Sequence, residues 1–263
     1  MQSGYDPVIG THVQRRRSAL ASKASEELKE SGERPQTYSS PAIIERRRRI
    51  LEETRKVIAE QGIAALSMNE IGQRAGVAKR TLYNAFQTRE RMIASAIQEY
   101  FDEYVSKIAY SSEPGTMQHN LERMISVVQR NRKIRNYIKA IMALYFSSDV
   151  DHDIWAAMHS PAVHHNRQWI EVLEAKKQLQ PWVEVDKLVE DLVRFEYATI
   201  NDWAQGRIAD DEIIVRLVGS YLTGLLGALK GAARKEVEAL IKDIAERGMD
   251  ALPAPQRPRV VAA

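Results

Sequence analysis

The stretch that most constrains this chain spans residues 67–86, SMNEIGQRAGVAKRTLYNAF. It reads as two short helices joined by a tight turn. Ser67 followed three residues later by Glu70 has the form of a capping box. In it the serine oxygen accepts from an early helical N–H and the glutamate reaches back to the cap. The first helix runs to about Ala75. Gly76 stands where a helix ends in a left-handed residue, a conformation glycine adopts without strain. Val77 tucks into the angle between the helices. The second helix starts near Ala78, with Leu82 and Phe86 four apart on its inner face. Lys79, Arg80, Tyr83 and Asn84 are left as an outward polar set. This is the layout of a helix-turn-helix, whose second helix enters the DNA major groove by its N-terminal part.

The flanks extend the pattern. Ser40-Pro41 has the serine cap and first-position proline of a helix start. Apolar residues then fall at Ile43, Ile44, Ile50, Leu51, Val57 and Ile58, a pair repeated every seven residues and hence one helical face. Arg46, Arg47, Arg48 and Arg49 cannot all face DNA, because successive helical residues point about 100° apart. One or two of them are expected to reach phosphate. Gln61-Gly62 closes this helix. Thr88 looks like the cap of a fourth, from Arg89 to about Lys107, with Ile93, Ile97, Phe101, Tyr104 and Ile108 as its stripe.

Residues 75–93, AGVAKRTLYNAFQTRERMI, resemble the helix-turn-helix signature of TetR-family bacterial transcriptional regulators. The resemblance covers roughly residues 43–108. It departs from the family at Ala78, where a serine or threonine cap is common, and at Arg80, where glycine is common. The resemblance implies an all-α fold: an N-terminal three-helix DNA-binding head, then a larger helical domain that binds a ligand and dimerises. It implies a homodimeric repressor that leaves a pseudopalindromic operator when a small molecule binds. It also supports Tyr83 and a basic residue near position 89 as phosphate contacts.

Charge agrees with that placement. The net charge is +3, yet residues 41–91 carry 11 basic and 6 acidic side chains, whereas residues 92–263 carry 21 and 24. A positive segment at the proposed reader is the electrostatic footprint that DNA binding requires. The chain has no cysteine, which excludes disulfides and Cys-ligated zinc and permits a reducing compartment. No signal-peptide run and no stretch of ~20 apolar residues occurs, so a cytoplasmic, non-membrane protein is expected.

Residues 1–40 read as a mobile polar arm. Arg15, Arg16 and Arg17 in it are either a DNA-reaching cluster or a solubilising tail. Residues 41–108 form the DNA-binding domain with its connecting helix, and SSEPGT at 111–116 is the boundary. Residues 117–247 form the effector and dimerisation domain, and residues 248–263 a frayed tail. Within the larger domain a helix is expected from Pro161 to about Lys177, preceded by a loop at 147–153. Two further helices follow, near 185–205 and 210–230, and a last one near 236–246. The 210–230 helix carries Ile213, Ile214, Leu217, Val218, Tyr221, Leu222, Leu225 and Leu226, and so little polar surface that burial on several sides follows. A four-helix dimer interface, eased by Gly224 and Gly227, would supply it, and burial inside one subunit is the alternative.

The residues expected to touch DNA are Lys79, Arg80, Thr81, Tyr83, Asn84, Ser67 and Arg89. Arg80, then Lys79, are expected to read bases, since arginine can donate two hydrogen bonds to guanine O6 and N7. Thr81, Tyr83, Ser67 and Arg89 suit phosphates, which set register without carrying sequence information. An effector pocket is expected at Ile138, Met142 and Phe146, joined by Trp169 and Phe195, suiting an apolar or aromatic molecule. His152, His159, His164 and His165 lack the spacing of a helical zinc site, and no metal or cofactor is expected. No nucleophile elbow, P-loop or dinucleotide fingerprint is present, which argues against an enzyme. A protein-interaction module that has lost DNA binding is the rival reading, and the retained Lys79, Arg80 and Tyr83 argue against it.

Overall fold

The computed structural model describes residues 40–254. The expected N-terminal arm and the end of the expected C-terminal tail lie outside the described residues. The chain divides at Ile44. Before that point only residues 40–44 are described, as the start of the first helix: the amides of Ile43 and Ile44 donate to the Ser40 carbonyl. Ile43 and Ile44 are exposed rather than part of a buried face.

The described residues form ten helices and no strand. Helix α1 is Pro41–Gln61, α2 Met68–Ala75, α3 Lys79–Phe86 and α4 Arg89–Ser106. Ile50, Leu51, Val57 and Ile58 of α1 are buried with Ile71 of α2, Leu82 and Phe86 of α3, and Met92 and Ile93 of α4. Burying one such side chain contributes about 1.5–3 kcal/mol, so this small core fixes the angle at which α3 is presented. Thr54, buried among them, satisfies its hydroxyl on the Ile50 carbonyl at 2.8 Å.

The larger part comprises α5 Met117–Arg132, α6 Arg135–Tyr145, α7 His152–Ala175, α8 Val185–Ala204, α9 Ile213–Leu226 and α10 Gly231–Arg247. Helix α4 packs along α7, α7 along α8, and α8 against both α6 and α9. α4 thus contributes to the small head core with its first two turns and to the larger domain with the rest.

Three expectations are corrected. The helix expected from Pro161 begins at His152, with Pro161 inside it. Asp151 caps it, its carboxylate accepting from the amide of Asp153 at 2.9 Å, and packing against α4 and α8 offsets the ~3 kcal/mol cost of an interior proline. The helix expected over 210–230 is Ile213–Leu226, because residues 228–230 pair with 178–180 instead. There Gln180 donates to the Ala228 carbonyl at 2.9 Å, and Lys230 to the Gln178 carbonyl at 2.8 Å. Finally, a second copy is not needed to cover α9. Ile213, Ile214, Leu217, Val218, Tyr221, Leu222 and Leu225 are each at most 1% exposed within one chain, enclosed by α5, α8 and α10.

Helix α10 starts five residues before its expected beginning at Glu236. The expected tail opens with one 3-10 turn, Gly248–Ala251, followed by the buried Leu252. Among the described residues no helix is long and apolar enough to cross a membrane.

Candidate nucleic-acid interface

The turn between α2 and α3 follows its local chemistry. Ser67 caps α2 in extended conformation, its Oγ accepting from the Glu70 amide at 3.2 Å. The reciprocal half of the capping box is absent. Glu70 accepts from Gln61 Nε2 at 2.9 Å and pairs with Arg74 at 3.1 Å. Gly76 takes φ +63°, its amide donating to the Gln73 carbonyl, and Val77 donates to the Gly72 carbonyl at 2.9 Å. The helices also approach closely at Gly72, where a Cβ would stand 3.0 Å from the Val77 carbonyl oxygen. Ala78 starts α3 in extended conformation without a side-chain cap; the Thr81 amide donates to the Ala78 carbonyl at 2.8 Å, and the amides of Lys79 and Arg80 keep their capacity to donate outward.

Leu82 and Phe86 of α3 point into the core. Lys79, Arg80, Tyr83 and Asn84 are exposed, and Thr81 is half-buried beside Leu82. The Lys79 ammonium lies 5.8 Å from the centre of the Tyr83 ring, close enough for a weak cation–π attraction. Arg80 and Asn84 make no side-chain hydrogen bond or ion pair among the described residues. The outer face of α3 therefore presents two cations uncompensated by carboxylate, with an amide and a phenol one turn further on. That set can donate to base edges and phosphates together.

The four arginines of α1 separate as helical geometry requires. Arg47 pairs with Glu99 and lies over the Phe86 ring at 4.7 Å. Arg48 pairs with Glu45 at 2.8 Å. Arg49 Nε donates to the Ala75 carbonyl at 2.9 Å. Arg46 alone is exposed without a partner among the described residues. Ser67 is exposed at the cap of α2 and keeps its hydroxyl proton for an outside acceptor.

Arg89, expected at a phosphate, is engaged within the head. Its Nε donates to the Leu66 carbonyl at 2.8 Å, its Nη2 to the Ile63 carbonyl, and its Nη1 to Glu90 at 3.2 Å. Two of the three nitrogens, Nε and Nη2, hold the α1–α2 connection to α4, because that connection leaves carbonyls that no helix satisfies. No local sequence signal distinguishes this brace from a phosphate contact.

The larger domain holds a cavity of about 70 Å³ among α4, α5, α6, α7 and α8. Of the residues expected to line a pocket, Ile138 and Met142 do, with Ile97, Phe101, Val127 and Met158. Trp169 is buried away from it, near His119 and Gly115. Phe146 and Phe195 are about half exposed. Phe146 falls just past the end of α6, so its four-residue spacing from Met142 does not keep it on the same face. Phe195 lies over Gly224 of α9, its ring 3.6 Å from where a Cβ would stand.

One end of this cavity is polar. Arg123 Nη2 lies 3.5 Å from Glu196, both almost wholly buried. Asn166 Nδ2 donates to Glu196 at 3.3 Å, and the Tyr221 hydroxyl donates to Asn166 Oδ1 at 2.8 Å. Arg123 Nε and Asn131 Oδ1, which also border the cavity, are buried without a partner among the described residues. Burial, then the nearby Arg123 charge, pushes His165 down to about 4.

The sequence profile described as bacterial regulatory proteins, tetR family, matches residues 50–96, from α1 through the first turns of α4. Over these residues the chain is similar to the DNA-binding head of the TetR family. The matched span contains α2, the Gly76 turn and α3 entire. Two relatives, both named HTH-type transcriptional repressor KstR, agree over part of their length. The protein of Rhodococcus jostii is 36% identical over 86 residues, 33% of this chain and 39% of its own. That of Mycolicibacterium smegmatis is 32% identical over 92 residues, 35% and 45%. The chain thus matches less than half the length of either.

Among solved structures, a TetR-family regulator from a Rhodococcus species superposes with a TM-score of 0.56. It is 19% identical, over 69% of this chain and 99% of that one. Full-length TylP, a TetR regulator from Streptomyces fradiae, gives 0.54 at 19% identity, over 79% and 93%. At such identity the likeness is one of fold, and it covers the larger helical domain as well as the head.

Proposed function

We propose that the chain is a sequence-specific DNA-binding repressor that works as a homodimer and leaves a pseudopalindromic operator when a small apolar molecule binds its larger domain. The observation that carries this reading is the outward face of α3. Arg80 and Lys79 stand uncompensated at its start, on a head whose profile is that of the TetR family. On this reading Arg80 and Lys79 read bases, Asn84 adds a contact further along, and Tyr83, Thr81, Ser67 and Arg46 hold phosphates. Two copies of α3 would lie about 34–36 Å apart, one DNA turn.

The domain division follows: residues 41–108 as the reader, 117–247 as the effector and dimerisation domain, with 1–40 and 248–263 as arms. The outer faces of α8 and α9 support a dimer there. Ala198, Ser220, Thr223, Gly224 and Gly227 are exposed and small beside Phe195, so another helix pair can approach closely. Release rests on α4. Its Met92 and Ile93 belong to the head core, and its Ile97, Phe101 and Val105 line the cavity. A ligand that wedges α4 away from α7 would favour a head position that no longer fits the operator. That shift equals its differential affinity for the two states.

The test is selection of genomic fragments by the full chain, then footprinting of the best. A protected palindrome with half-sites one turn apart is expected. Failure to enrich any fragment over competitor DNA at low and moderate salt, with protein that native mass spectrometry finds free of bound ligand, contradicts the reading.

A further inference from the structure

An open cleft of about 860 Å³ lies between α1, α4 and the turn joining α5 to α6, and the DNA-reading face does not use it. Its lining holds two carboxylates, Glu52 and Glu103, and both are taken. Glu52 pairs with Arg48 and Lys56, and Glu103 with Lys107. Four further cations line the cleft with no carboxylate at ion-pair distance among the described residues: Arg55, Arg130, Arg132 and Lys133. Two of these are held in place by an aromatic wall. The guanidinium groups of Arg55 and Arg130 lie over the Tyr100 ring at 5.1 and 5.2 Å, and Arg130 Nε donates to the Tyr100 hydroxyl. Lys133 is exposed, with no side-chain partner among the described residues. The Tyr137 hydroxyl and Arg132 Nε, which line the same cleft, are buried and unpartnered among the described residues, while Arg132 Nη2 donates to the Asp210 backbone carbonyl.

Like charges gathered in one cleft repel, and they gain most from an anion of several charges. The guanidinium fork matches phosphate oxygens in geometry. A phosphate monoester carries about 1.5–2 negative charges near neutral pH, so balancing four cations takes at least two. The volume falls within the range of about 300–1,000 Å³ usual for small-molecule sites. We propose that this cleft binds a small molecule bearing at least two phosphate groups. Because α1 belongs to the head and the α5–α6 turn to the larger domain, occupancy would hold one against the other. The proposal stands independently of the DNA-binding reading.

Calorimetric titration of the full chain without DNA, with inorganic triphosphate, pyrophosphate, orthophosphate and citrate as probes, tests it. Saturable binding is expected, tightest for triphosphate, weakening as salt is raised. Lys133→Glu, at an exposed unpaired side chain, is expected to weaken triphosphate binding by about tenfold or more. Arg130→Gln is expected to do the same, and a normal thermal unfolding curve for each variant shows that the fold is kept. Arg80→Ala is expected to leave the binding unchanged. Four results would overturn the proposal: no saturable binding; loss of binding in Arg80→Ala but not in Lys133→Glu, which places the anion on α3; citrate binding as tightly as triphosphate; or Lys133→Glu weakening duplex DNA binding in a protein that ignores triphosphate, which makes the cleft a DNA surface.

Discussion

Arg89 Nε donates to the carbonyl of Leu66 at 2.8 Å, tying the first turn of α4 to the connection that leads into α2. A second nitrogen of the same guanidinium reaches the Ile63 carbonyl. Arg89→Ala leaves both carbonyls without this partner, and hydrogen bonds from a charged donor contribute about 1.5–3 kcal/mol. A loss of stability of about 2–3 kcal/mol is expected, read by urea unfolding in the absence of DNA. An unfolding curve that does not move would return Arg89 to the list of phosphate contacts.

The buried pair of Arg123 and Glu196 makes a different expectation. Removing one partner leaves an uncompensated charge inside the larger domain, at a cost of about 3–5 kcal/mol. Glu196→Leu and Arg123→Met are each expected to destabilise by that order. The double replacement is expected to recover much of the loss, because apolar groups of similar volume often replace a buried ion pair at little cost. A double-mutant cycle by chemical unfolding measures it, and strict additivity would mean that the two charges do not support each other.

His165 sets an acid limit. Its folded value is pushed down to about 4 from an ordinary 6.5, by burial first and by Arg123 second. Between those values the unfolded chain binds the proton and the folded chain does not, so stability falls as pH drops from about 6.5 towards 4. The full contribution is present above 6.5 and amounts to at most about 3 kcal/mol. His165→Gln is expected to flatten that part of the stability–pH curve. An equally steep decline in the variant would assign the acid sensitivity to other groups.

The head was legible because its signals are local. The Ser67 cap, Gly76 at a left-handed position and the Leu82–Phe86 spacing each act within a few residues, and all three stand as read. The start of α7 was missed because Pro161 has the look of a helix start, whereas the working cap, Asp151, sits in a polar run that reads as loop. Periodicity on α9 gave the amount of burial but not the agent. Its apolar faces are met by α5, α8 and α10 of the same chain. Phe146 misled through a four-residue spacing that runs past the helix end. The network of Arg123, Glu196, Asn166, Asn120 and Tyr221 joins four helices, and Asn120 meets Tyr221 at 3.0 Å from 101 residues away. No local pattern can announce such a contact.

Arg80 is the proposed base reader. A bidentate arginine–guanine contact discriminates by about 1–3 kcal/mol, whereas a phosphate contact weakens all sequences alike when lost. The most direct measurement is the affinity of the intact chain, Arg80→Ala and Tyr83→Phe for the selected operator and for a scrambled duplex, at one fixed salt concentration. Arg80→Ala is expected to reduce the ratio between the two affinities by about five- to a hundredfold, and Tyr83→Phe to weaken both while leaving their ratio unchanged. Equal weakening of both duplexes by Arg80→Ala, with the ratio preserved, would contradict the account.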